Sequence, residues 1–170
     1  PSPHRHLDAL AMAAAIAVRT EKAQIATSVV DTVRRHPAML AQTALTIDHL
    51  AKGRFILGLG AGEMENTVPY GFDFSTPVGR FEESLKVIRL LWESDGPVDF
   101  EGKFYTLHHA RLDTEPFEGK SQDLDRRFWS AHAGYRRAKC RWLVAGRLVF
   151  GRRLCRHAGR LAAVGGESGA

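Results

Sequence analysis

The stretch AQIATSVVDTVRRHPAMLAQTALTIDHLAKGRFILGLGAGE, residues 23–63, carries the clearest structural pattern in the chain. Ala23–Val30 is a short apolar run rich in β-branched residues, which is typical of a buried parallel strand. Pro37–Ala51 begins with a proline suited to the first helical position and continues with apolar residues at helical spacing. Arg54–Leu59 is a second buried strand. Strand, helix and strand in this order predict a right-handed βαβ unit.

The flanking segments continue the alternation of helix and strand. Leu7–Val18 has apolar residues at helical spacing, and a third helix starts at Pro77, with Glu82 and Glu83 in its first turn. Val98–Tyr105 alternates about a two-residue turn, which predicts a β-hairpin. The apolar side chains expected on the buried face of the third helix are Phe81, Leu85, Ile88 and Trp92.

Composition and charge divide the chain into two parts. The 170 residues are 44% hydrophobic and 25% charged, as in a soluble globular protein, and no apolar run is long enough to span a membrane. Residues 1–120 contain 13 Lys and Arg against 16 Asp and Glu, whereas residues 121–170 contain 11 against 3. The positive charge therefore belongs to the last fifty residues, and the two parts need separate interpretations.

Neither the cysteines nor the histidines have the spacing of a metal site. Cys140 and Cys155 lack zinc-ligand spacing and a disulfide framework, which favours a cytoplasmic chain. His36, His108 and His109 have no third ligand nearby in sequence, and we expect them to be surface or capping groups. No metal site is expected.

Residues 121–170 form a basic tail rich in arginine and glycine. We interpret this tail as non-native or disordered, for example a shifted reading frame in a GC-rich gene. A basic arm for nucleic acid or an acidic partner, and a divergent but genuine tail, are the alternatives. We expect no nucleic acid partner.

Polar side chains and glycines follow the two predicted parallel strands. Ser28 and Asp31 lie at the end of the first strand, and Gly62 and Glu63 follow the second. Because parallel strands end at the same edge of a sheet, these residues can face one site, where glycines let a flat ring or a phosphate approach the backbone. The turn is not a dinucleotide-binding fingerprint, because Glu63 occupies the third glycine position and no helix follows directly.

The motif TSVVD…RRHPAM…GRFILGLGAGEMEN, continued by RFEESLKVIRLLWESDGPVDFEGKFYTL, resembles the luciferase-like oxidoreductases that depend on coenzyme F-420. That branch includes F-420-dependent glucose-6-phosphate dehydrogenases and mycobacterial phthiodiolone ketoreductases. The resemblance covers about residues 8–118 and implies an α/β fold, a partial TIM (β/α)8 barrel of the luciferase-like type. The relatives imply a barrel incomplete at both ends here, since the pattern starts in their second helix and stops before their fifth strand.

The resemblance also implies roles for individual residues. It places a non-prolyl cis peptide at Ser28-Val29, in a bulge that in relatives supports the face of the deazaflavin ring. It implies that Glu63 acts in proton transfer and that Asn66 contacts the cofactor. The residues expected to bind the cofactor are Ser28, Val29, Asp31, Ala61 and Asn66, and the catalytic residue is Glu63.

These features together predict an oxidoreductase that transfers hydride between F-420 and a carbonyl or alcohol, with a lipid ketone as one possible substrate. FMN is the alternative cofactor, in a flavin-dependent monooxygenase. A non-catalytic basic-tailed binding protein is a third hypothesis. Full-length relatives are expected to be homodimers, and this chain is expected to be a truncated form.

Overall fold

The computed structural model describes residues 7–117 and 128–130. These residues include three helices, α1 Ala9–Arg19, α2 Pro37–Leu50 and α3 Pro77–Glu93. The strands are β1 Ile25–Ala26, β2 Val30–Asp31, β3 Phe55–Gly60, β4 Val98–Glu101, β5 Thr106–Ala110 and β6 Phe128–Ser130. Two short 3-10 turns, Met64–Asn66 and Val68–Tyr70, follow β3. None of the helices in this part of the chain is long and apolar enough to cross a membrane.

Strand β3 is the centre of a parallel sheet. Its first residues pair with β1 and its last residues pair with β2. Leu59 pairs with Val30 of β2 and with Ser130 of β6, so these two strands flank β3 on opposite sides. The order of strands and helices confirms the predicted βαβ unit and the partial (β/α) barrel, and the described strands do not close into a complete barrel.

The first predicted strand is interrupted, which the sequence pattern did not indicate. Ala23–Val30 forms β1 and β2 with a bulge between them, and the peptide bond Ser28-Val29 in that bulge is cis. The Thr27 hydroxyl donates to the Gly58 carbonyl at 2.9 Å and accepts from the Gly58 N–H at 2.8 Å. A side chain therefore satisfies the backbone of β3 where the first strand leaves the ladder.

Strand β6 corrects the expected end of the barrel. The resemblance implied no strand after residue 120, yet Phe128–Ser130 pairs in parallel with residues 57–59 of β3. The strand that follows β3 in the barrel is thus present. The other predictions for residues 121–170, including those for Cys140 and Cys155, lie outside the described residues.

The hairpin of β4 and β5 differs from the predicted one in the length of its turn. Residues 102–105 form a four-residue connection instead of two. The Glu83 carboxylate, 8% exposed, accepts the backbone N–H groups of Lys103, Phe104 and Tyr105 at 3.0, 2.8 and 2.7 Å. Helix α3 begins at Pro77, as predicted, but its first turn contains no acidic residue. Glu82 and Glu83 lie beyond that turn, so their predicted placement was wrong.

The core lies between β3 and the faces of α2 and α3. The predicted buried face of α3 is confirmed, since Phe81, Leu85, Ile88 and Trp92 are all buried. The Trp92 indole N–H donates to the carbonyl of Ala41 in α2 at 3.2 Å. Burial of each large side chain contributes roughly 1.5–3 kcal/mol, so this face fixes the helices on the sheet.

Helix α1 is held at both ends by charged side chains. The Asp8 carboxylate caps its first turn by accepting backbone N–H groups. Arg54, just before β3, donates to the carbonyls of Ala17, Thr20 and Ala23 at 3.3, 2.7 and 2.6 Å. The arginine of the GRF motif therefore joins the carboxyl end of α1 to the start of β3.

Candidate functional site at the carboxyl edge of the sheet

The carboxyl ends of β2 and β3 meet as the sequence predicted. Asp31, the last residue of β2, pairs with Gly60, the last residue of β3. Two residues later Gly62 has φ +87°, and a Cβ at this position would lie 3.1 Å from Cβ of Asp31 and 3.5 Å from the Phe74 ring. Only glycine combines this conformation with this close approach, so the turn after β3 packs directly on the end of β2.

Glu63 and Asn66 form a hydrogen-bonded pair beside this turn. The Asn66 amide Nδ2 donates to Oε2 of Glu63 at 2.6 Å. The Glu63 backbone carbonyl accepts from the Asn66 N–H at 3.1 Å and from the Thr67 hydroxyl at 3.0 Å. Asn66 is 6% exposed and Thr67 is fully buried, whereas the Glu63 side chain is exposed. Buried Asn66 thus orients the exposed carboxylate, and buried Thr67 holds the backbone of Glu63.

The carbonyl oxygen of the Asn66 amide accepts no hydrogen bond within the described part of the chain. Its Oδ1 atom is buried and has no hydrogen-bond partner among residues 7–117. Leaving a buried acceptor unpaired costs about 1–3 kcal/mol, so such atoms occur mostly where a ligand or another segment supplies the donor.

Asp31 differs from Glu63 in how its carboxylate is used. Oδ1 accepts the N–H groups of Val33 and Arg34 at 3.1 and 2.9 Å, and Oδ2 accepts from Arg34 Nε at 2.7 Å. Both oxygens are engaged within residues 31–34, which we call the rim loop. Asp31 therefore contributes to the site by holding the rim loop against the glycine turn.

The remaining predicted residues lie in the bulge between β1 and β2, which holds Ser28 and Val29, and directly after β3, where Ala61 lies. The cis peptide that the resemblance implied between Ser28 and Val29 is confirmed. Ser28 is exposed, Val29 is half-buried, and Ala61 is half-buried against the core. The structure joins Asp31 to the glycine turn and Glu63 to Asn66, and it places Ser28 and Val29 immediately before β2.

His36, expected to be a surface or capping group, is exposed and caps a helix. Its Nδ1 accepts the N–H of Ala38 at 3.2 Å and so caps α2. Burial lowers the pKa of His36 below its ordinary value, which favours the neutral ring that this contact requires. Among the described residues, no cluster of three or more His, Cys, Asp or Glu side chains could hold a metal ion.

Two contributors to the site were missed by sequence reasoning. Arg34 pairs with Asp31, and the spacing of three residues between opposite charges was an available signal. Tyr105 reaches the rim loop with its hydroxyl, which lies 3.1 Å from the Thr32 carbonyl. No local pattern indicates a contact between residues 73 positions apart in the chain.

Known proteins share this architecture. The family model described as luciferase-like monooxygenase matches residues 1–139. The chain is 42% identical over 119 residues to a phthiodiolone/phenolphthiodiolone dimycocerosates ketoreductase of Mycobacterium sp. (strain JLS), covering 69% of this chain and 30% of that protein. It is 42% identical over 113 residues to an F-420-dependent glucose-6-phosphate dehydrogenase of Amycolatopsis mediterranei (strain U-32), covering 64% and 34%.

A solved structure agrees in sequence and in fold. An F-420-dependent secondary alcohol dehydrogenase in complex with an F-420–acetone adduct is 37% identical, with a TM-score of 0.61, covering 65% of this chain and 34% of that one. The chain spans about a third of the length of the relatives that it matches. The match over residues 1–139, together with the structural similarity to a relative, assigns the chain to the luciferase-like monooxygenase family.

Proposed function

We propose that this chain forms part of an oxidoreductase that transfers hydride between coenzyme F-420 and a carbonyl or alcohol substrate. The observation that carries the proposal is the exposed Glu63 carboxylate, held by buried Asn66 at the carboxyl edge of β3. Active sites of (β/α) barrels lie at this edge. The similarity to two F-420-dependent proteins supports this choice of cofactor.

The residues at this edge suit a flat deazaflavin ring. Val29 and Ala61 offer half-buried apolar surface, Ser28 offers an exposed hydroxyl, and Asn66 has an amide oxygen without a donor among residues 7–117. We propose that these four residues contact the cofactor and that Asp31 contributes through the rim loop. When bound, the coenzyme supplies a ring carbon that gives or accepts hydride.

Glu63 is proposed to move the proton that accompanies hydride. Reduction of a ketone adds hydride to the carbonyl carbon and a proton to its oxygen. The Glu63 carboxylic acid donates that proton and becomes a carboxylate, and the reverse reaction returns the proton from the alcohol. The N–H donated by Asn66 fixes the carboxyl group in one orientation, which general acid catalysis requires.

The segment that follows Glu63 favours a neutral, apolar substrate such as a lipid ketone. Residues 61–79 contain no Lys or Arg. Met64 and Val68, which follow Glu63, are 63% and 49% exposed, so they leave apolar surface beside the carboxylate. This segment offers an anionic sugar phosphate no attractive charge, whereas an alkyl chain gains from covering the apolar surface. One relative is itself named as a ketoreductase of dimycocerosates.

Titration of the chain with F-420 and with FMN tests the choice of cofactor. We expect F-420 binding, measured by a change in coenzyme fluorescence, and we expect Asn66→Ala to weaken it. Preferential binding of FMN would replace the proposal by the flavin-dependent alternative. Absence of binding by both compounds at millimolar concentration would overturn the proposal for this chain.

A second measurement tests Glu63. Glu63→Gln keeps the shape of the side chain and the contact with Asn66 but cannot donate a proton as an acid. We expect F-420 affinity to change little, and hydride transfer from reduced F-420 to a methyl ketone to fall by roughly 10²–10⁴-fold. Unchanged transfer in this variant would exclude Glu63 as the proton donor.

A further inference from the structure

Tyr105 connects the β4–β5 hairpin to the rim loop through the protein interior. Its ring is buried, and its hydroxyl donates to the backbone carbonyl of Thr32 at 3.1 Å. Thr32 follows Asp31 directly, and Asp31 is the residue on which Gly62 packs. One buried hydrogen bond therefore separates the hairpin from the site edge.

The phenol is held from several directions. The backbone N–H of Tyr105 donates to Glu83 Oε1 at 2.7 Å, and the Ser84 hydroxyl lies 3.2 Å from the Tyr105 hydroxyl. The His36 and Tyr105 rings pack at right angles, with centroids 5.2 Å apart. A side chain fixed at its backbone, ring and hydroxyl can transmit a defined position to its acceptor.

We propose that Tyr105 is a positioning residue, a buried strut that sets the rim loop and through it the carboxyl edge of the sheet. The ring alone would fill the same space, because a phenylalanine differs only by the hydroxyl. The hydroxyl is what selects one position of the Thr32 carbonyl. The importance of the Thr32 carbonyl position for catalysis rests on the proposed function. The hydrogen bond by which Tyr105 holds the rim loop does not depend on it.

The test is Tyr105→Phe, with Thr32→Val as the matched control. The control keeps the carbonyl that accepts from Tyr105 and removes only the Thr32 hydroxyl, which is buried and has no partner among residues 7–117. Amide hydrogen exchange is followed at Val33 and Arg34, whose N–H groups bind Asp31. We expect about tenfold faster exchange at both amides in Tyr105→Phe, as for loss of one buried hydrogen bond, and no change in the control.

Affinity for F-420 is the second measurement, and we expect it to fall about tenfold in Tyr105→Phe. Unchanged exchange at Val33 and Arg34 would overturn the proposal. Equal acceleration across α2 and α3 would also overturn it, because it would show a general loss of stability. If the unmodified chain binds no F-420, the proposed function fails, and the exchange rates alone then decide whether the strut exists.

Discussion

Gly62 and Gly71 both have a left-handed backbone, and comparing them separates the effect of backbone conformation from the effect of steric crowding. Gly62 has φ +87° and lies against Asp31, whereas Gly71 has φ +80° and would leave an added Cβ with nothing within 4 Å. Both glycines share the backbone requirement. Only Gly62 adds a steric requirement, and only Gly62 is part of the candidate site.

Gly62→Ala is expected to destabilise the protein more than Gly71→Ala. Gly71→Ala, the control, should lose about 1 kcal/mol of stability because its backbone is left-handed. Gly62→Ala should lose more, because its Cβ would also lie 3.1 Å from Cβ of Asp31. Urea unfolding measures both losses. F-420 titration should show weaker binding for Gly62→Ala alone, and equal effects in the two variants would contradict the close packing of the turn.

At the residue scale, the sequence predicted which residues lie next to each other better than it predicted the hydrogen bonds of their side chains. The parallel register brings Asp31 and Gly60 together, so the site edge followed from the βαβ pattern. The pattern could not show that both carboxylate oxygens of Asp31 accept hydrogen bonds from the rim loop, because those bonds depend on the path of the next three residues. The contact of Tyr105 depends on tertiary packing alone.

The β4–β5 hairpin owes its turn to a side chain of α3. Glu83 takes the place of a cross-strand partner by accepting three successive N–H groups. Gly102 makes room for it, because a Cβ at that position would lie 2.1 Å from Glu83 Oε1. The turn and the helix are therefore one structural unit.

Gly102→Ala should disrupt this unit, and Gly96→Ala provides the comparison. An alanine at 102 displaces the Glu83 carboxylate, and we expect a loss of about 2 kcal/mol or more. Nothing lies within 4 Å of a Cβ at Gly96, so that substitution should be neutral or slightly stabilising. Melting temperatures measure the difference. Equal melting temperatures would show that Glu83 does not hold the turn.

Elements set by local periodicity were predicted well, and elements set by distant partners were not. The helices and β3 appear close to their predicted bounds, since their apolar spacing reflects the core that they face. Periodicity did not show the split of the first strand, which the resemblance alone implied through its bulge at Ser28-Val29, and the hairpin turn depends on Glu83. Strand β6 lies in an arginine-rich segment and is defined by its pairing with β3.

Stability of the whole chain should depend on the protonation of His36. This ring caps α2 and packs on Tyr105, so it joins a helix start to the strut. Because burial lowers its pKa in the folded state, the unfolded chain takes up the proton more readily. The stability that the neutral His36 ring contributes is fully present above the ordinary pKa of 6.5. It is lost as the pH falls through the lower pKa of His36 in the folded state.

Chemical unfolding at pH 7.5 and pH 5.5 checks this dependence. The free energy of unfolding should decrease on acidification in the unmodified chain. His36→Asn keeps a capping acceptor without a titrating ring, and its decrease should be smaller. An identical decrease in both proteins would assign the pH dependence to other groups.

The contacts of Arg54 have a consequence for how the sequence of α1 can change over time. The guanidinium binds the carbonyls of Ala17, Thr20 and Ala23, which every amino acid provides, and makes one further contact with the Thr20 hydroxyl beyond the end of the helix. Substitutions along the outer surface of the helix leave this attachment intact. Mutational drift in α1 should therefore be limited by the small residues that pack inward, Ala13 and Ala17, while a change at Arg54 removes this attachment whatever the composition of the helix.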